Sequence, residues 1–152
     1  MRRSSLELAA MPVAVSAARH WTAKLLAQAD TPPDQNLVDT VVLLVSEMVT
    51  NAIHAVSELG LPPNAVPAGP TVPKVWLAIS RSPELVRIEV HDSACVPVLP
   101  RAPVCRRHPE EESGRGLEVI SALANDWGWH PDSLGKIVWC ELSATGAGCL
   151  PR

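Results

Sequence analysis

The chain has 152 residues, 47% hydrophobic and 19% charged, with a formal net charge of -3. That length predicts one domain, and the balance of apolar and charged residues excludes a chain disordered by composition. Direct nucleic-acid binding calls for a basic balance or face, and Arg106–Arg107–His108 is only a small basic cluster. No run approaches the ~18 apolar residues of a membrane span. Met1–Arg2–Arg3, followed by Glu7 and Pro12, makes a poor signal peptide. Neither a nucleic-acid nor a membrane partner is therefore expected. Cys95, Cys105, Cys140 and Cys149 include no C-x-x-C pair, which predicts free thiols in a reducing cytoplasm rather than a metal or disulfide framework. With five Trp, no Tyr and no Phe, the core is expected to use Leu, Val, Ile and Ala with Trp anchors.

In chain order, Leu6 to Val13 reads as a short edge strand. Ser16 to Ala29 reads as a helix with Ala17, Trp21, Leu25 and Ala29 on its apolar face. Thr31–Pro32–Pro33 stops it, and Asp34 is placed to cap the next helix. Gln35 to about Leu59 carries the strongest helical signal. Val38, Val41, Val42, Val45, Met48, Val49, Ala52 and Val56 recur at helical spacing, and Gly60 with Pro62–Pro63 ends the run. A loop over 61–73 follows. Lys74–Ser80 and Leu85–His91 alternate as strands around a turn at 81–84. Pro97, Pro100, Pro103 and Pro109 exclude a continuous helix or a central strand over 93–113. Gly114 to Asn125 reads as a helix with Leu117, Ile120, Leu123 and Ala124 inward. Strands at Asp126–His130 and Lys136–Leu142 follow, and the tail from Ala144 is expected to fray. This order favours an α+β two-layer sandwich, its mostly antiparallel sheet covered by helices on one face. The domain is expected over 15–143, between an N-terminal segment 1–14 and a C-terminal tail 144–152.

Three segments could carry chemistry. Glu47 and Asn51 are four apart on the long helix, so they lie about 40° apart around its axis and share a face; His54 and Glu58 extend the stripe. A carboxylate can act as a base, and an Asn oxygen can ligate Mg²⁺. By spacing alone, the solvent face of an amphipathic helix is the commoner reading. Asp92 ends an alternating strand just before a long loop, where it is placed to meet a ligand or to terminate a turn. Ser113–Gly114–Arg115–Gly116–Leu117 opens a helix, where free N–H groups favour phosphate; a capped hinge is the alternative.

In this order the three segments resemble the GHKL ATPase superfamily (the Bergerat fold), over residues ~15–143. The closer resemblance is to the small anti-sigma-factor serine/threonine kinase-like proteins of actinobacteria. Glu47-Met-Val-Thr-Asn51-Ala-Ile-His54-Ala looks like the N-box. Asp92-Ser-Ala94-Cys-Val-Pro97 looks like the first glycine box, and Gly114-Arg115-Gly116-Leu117 like the second, followed by Asn125-Asp126-Trp127-Gly128-Trp129. Gly135-Lys136-Ile137-Val138-Trp139-Cys-Glu141-Leu142 looks like the closing strand. The resemblance implies ATP and Mg²⁺ as cofactors. Asn51 would coordinate Mg²⁺, and Glu47 would be the catalytic base. Asp92 would accept the adenine amino group, with Ala94 beside it. Gly114, Arg115 and Gly116 would wrap the phosphates, next to Leu117. Residues 95–113, with Cys95 and Cys105, would be the ATP lid.

The resemblance further implies a cytoplasmic kinase, as a homodimer, acting on a sigma factor, an anti-anti-sigma protein, or both. Several positions depart from the family pattern. Ala94 stands where a glycine or small polar residue is usual, and Ile137 stands where a Thr often supports the Asp. His54–Ala55 replace the usual basic residue and His, and the lid is rich in proline. Ala94 and Ile137 favour the alternative, a catalytically inactive adaptor of the same fold that sequesters a regulatory protein. A sensor histidine kinase, which needs a helical dimerisation domain, is not expected, and His20 reads as a surface or packing residue.

Overall fold

The computed structural model describes residues 1–58, 73–92, 115–133 and 135–145. The elements are β1 (Arg2–Ala9), α1 (Val13–Ala27), α2 (Gln35–Glu58), β2 (Lys74–Arg81), β3 (Leu85–Asp92), α3 (Arg115–Leu123), β4 (Asp126–Pro131) and β5 (Lys136–Ser143). The five strands form one sheet in the order β1-β2-β3-β5-β4, every neighbouring pair antiparallel. The helices form the second layer. α2 packs on β2 and β3, with α1 and α3 against it on either side. The expected α+β two-layer sandwich is thus observed.

β3 shows how the sheet divides its faces. Val86, Ile88, Val90 and Asp92 are buried, and the residues between them are not. Side chains on a strand alternate between faces, so the first set meets the helices. Val75, Leu77 and Ile79 of β2 join it, as do Cys140 and Leu142 of β5. From above, α2 contributes Val41, Leu44, Val45, Met48, Val49, Ala52 and Ile53. Residues 35–56 of α2 are long and apolar enough, by length and composition, to cross a bilayer. This differs from the sequence expectation. In the fold, that apolar surface forms the helix side of the core. Asp34 caps α2 as expected, its Oδ1 accepting the Leu37 N–H at 2.9 Å.

Four expectations are corrected. β1 spans Arg2–Ala9, earlier than Leu6–Val13, because Pro12 already has helical backbone angles and starts α1. The buried row of α1 is Ala14, Ala18, Thr22 and Leu26. The expected row is its neighbour: Trp21 and Leu25 pack at the margin of the core, and Ala17 is exposed. Three of the four are small and the fourth, Leu26, is a large core residue; the Thr22 hydroxyl is satisfied by donating to the Ala18 carbonyl at 2.7 Å. On α3, Ile120 is buried while Leu123 is exposed. None of the five tryptophans is fully buried; Trp21 and Trp127 pack against the core as expected, while Trp76 and Trp139 lie on the outer face of the sheet, in the rows of His91 and Glu89.

The core depends on the α2 seam. Leu44→Ala, at a fully buried position, is expected to cost about 2–5 kcal/mol, read as a lowered midpoint in urea denaturation.

Candidate functional site

Glu47 and Asn51 lie one turn apart on α2, both half-buried. The inward rotation of Met48, Val49 and Ala52 leaves these two at the margin of the core. His54, one turn on, is exposed. The side chains of Glu58 and Arg115 lie outside the described residues. So do Ala94, Gly114 and the expected lid, 95–113, with Cys95 and Cys105. Cys149 and the basic cluster 106–108 are outside them as well. Gly116 and Leu117 fall in the first turn of α3, and Leu117 packs against the core.

Asp92 is the last residue of β3 and is only 2% exposed. It ends the helix-facing row begun by Val86, so its carboxylate lies between the layers rather than in an exposed turn. Lys136, its partner across the β3–β5 ladder, brings Nζ to 3.6 Å from Oδ2. An ammonium at that distance offsets part of the desolvation of a buried carboxylate. Sequence reasoning missed Lys136. The signal was its place at the start of the last strand, readable only once the register is known.

The same register corrects the reading of Ile137. Ile137 pairs with His91, so it belongs to the outer face, opposite to Asp92. Its lack of a hydroxyl therefore has no bearing on Asp92. Asn125, expected just before the fourth strand, joins α3 to the sheet. Its backbone N–H donates to the Glu141 carbonyl at 2.8 Å, and its Oδ1 accepts the Ser143 N–H at 2.7 Å.

The arrangement fits a nucleotide by its donor set. A carboxylate shielded from water can accept an amino group, and a half-buried carboxylate and amide oxygen stand on the helix that covers the same face. Among the described residues there is no group of three or more His, Cys, Asp or Glu able to hold a metal alone.

The signature of the histidine kinase-like ATPase domain matches residues 8–141. The chain belongs to that family, and an ATPase domain implies ATP binding. The match runs from the end of β1 into β5, so it covers the sandwich except for most of β1 and the last two residues of β5. No curated relative matches the chain at a significant level.

Cys140 is buried below α2, its Sγ 3.5 Å from Met48 Sδ. Burial, more than any charge, pushes its thiol from 9.0 up to about 12. It is thus an inert core residue, not a nucleophile. Between about pH 9 and 12 the unfolded chain loses this proton and the folded chain keeps it, so stability falls as pH rises. The slope from this group is about 1.4 kcal/mol per pH unit. Denaturant titrations of wild type and Cys140→Ala across this range are expected to converge at high pH by that amount.

Proposed function

We propose that the chain is an ATP-binding serine/threonine protein kinase of the anti-sigma type. The observation that carries this reading is the buried Asp92 facing a helix that retains both Glu47 and Asn51. Asp92 would accept the adenine amino group, held in place by Lys136. Asn51 would hold Mg²⁺ through its side-chain oxygen, and the ion when bound would neutralise phosphate charge. Gly114, Arg115 and Gly116 would wrap the phosphates at the start of α3. Glu47 would take the proton of a partner's serine hydroxyl. That oxygen bonds to the γ-phosphorus as the bond to the β-phosphate oxygen breaks, and ADP leaves. The proposed partners are a sigma factor, an anti-anti-sigma protein or both, met in the cytoplasm by a homodimer. Their support is the likeness of the N-box and glycine boxes to those of the anti-sigma kinases.

The adaptor reading now rests on Ala94, since Ile137 faces away from the site. Calorimetry with Mg²⁺ and ATP separates the outcomes. Asp92→Asn is expected to weaken ATP binding by roughly 10- to 100-fold, the weight of a hydrogen bond to a charged group. An adaptor with a closed site would show no ATP binding to lose.

Glu47→Ala is expected to keep ATP and partner binding. It should lower transfer of labelled γ-phosphate to an anti-anti-sigma protein by about 10²–10⁴-fold. Equal transfer by wild type and variant would sink the assignment of Glu47.

A further inference from the structure

At the end of the sheet opposite Asp92, the C-terminus of α1, the Pro32–Pro33 link, the start of β1 and the β2–β3 turn line a half-open cavity of about 610 Å³. That volume lies within the range of small-molecule sites. Leu25, Pro32, Pro33 and Pro83 give it apolar surface, with the buried Leu26, Ile79 and Val86 beneath, and Arg2 and Arg81 stand in its wall. The two arginines are direct cross-strand partners, so they share the helix-facing side of the sheet. Like charges placed directly opposite destabilise a strand pair. Neither guanidinium forms an ion pair among the described residues. Arg81 Nη2 instead donates to the Thr31 carbonyl at 2.7 Å, which tethers it to the link between the helices.

Asp30 and Asp34 also line the cavity. Asp34 is engaged by the Leu37 N–H. Two carboxylates at the rim oppose a polyanion such as a nucleotide. Two guanidiniums from paired strand positions beside apolar surface suit a single negative charge on an apolar body.

We propose that this cavity is a second ligand site, separate from the one around Asp92, and that it takes a small amphipathic monoanion. A medium-chain carboxylate is the type. Its head group bridges Arg2 and Arg81, and its hydrocarbon body lies on Leu25, Pro32, Pro33 and Pro83. A bridging carboxylate also relieves the repulsion between the two arginines.

The test titrates octanoate, and octanol as its neutral counterpart, into the full chain and follows backbone amides by NMR. Saturable shifts at the cavity residues are expected well below the concentration at which octanoate forms micelles. Arg2→Gln is expected to weaken octanoate about tenfold, octanol to bind about tenfold more weakly than octanoate, and saturating Mg²⁺-ATP to displace neither. Arg2 is exposed and carries no tether, so this variant serves even if Arg81→Gln, which loses the Thr31 bond, fails to fold. No saturable shift, shifts confined to other regions, an Arg2→Gln affinity equal to wild type, or displacement by ATP would each overturn the proposal.

Discussion

Val41, Val45, Met48 and Ala52 run in one line along α2, and all are buried. With that line seated on the strands, α2 cannot turn about its axis. A shift of one residue, about 100°, would carry the line out of the core and bring polar side chains in. The packing that builds the core therefore fixes Glu47 and Asn51 at its margin. α1 and α3 both rest on α2, so its rotation sets the position of the whole helix layer.

The sheet separates two kinds of electrostatics. On the helix side, an apolar row of β3 ends in the carboxylate of Asp92, which Lys136 faces from the next strand. A buried charge is costly, and its place at the end of a row, between layers, is where a ligand can share the cost. On the outer face, charges are shared among many partners. Arg3 meets Glu89 at 2.8 Å, and Arg87 reaches Glu89 at 3.5 Å and Glu141 at 2.6 Å. Arg87 also lies 4.4 Å over the Trp139 ring. That ring covers Gly128 so closely that a Cβ there would stand 2.9 Å from Trp139 Cζ2. Exposed ion pairs contribute little singly, and more as a network of partly buried groups.

Periodicity made α2, β2, β3 and β5 legible, because each buries one continuous apolar row. It misplaced β1 because the helix-facing row of this edge strand begins with Arg2 and Ser4, which carry no hydrophobic signal. It chose the wrong row on α1 for a related reason. Trp21 and Leu25 carry a stronger hydrophobic signal than Ala14, Ala18 and Thr22, yet these smaller side chains are the ones buried in line with Leu26. In the site, Glu47, Asn51 and Asp92 were readable as residue types at set places. Lys136 and the orientation of Ile137 were not, because cross-strand neighbours depend on register, which a single strand does not encode.

The pairing of β1 with β2 has a consequence for synthesis. β1 leaves the ribosome well before its partner, Lys74–Arg81, which follows only after both long helices. Closing that long loop carries an entropy cost that local structure does not. α1 and α2 can wind as they emerge, through bonds within each helix. The apolar line of α2 then has no strands to cover it until β2 and β3 arrive. During that interval the nascent chain presents a long hydrophobic helix, the kind of surface that chaperones bind.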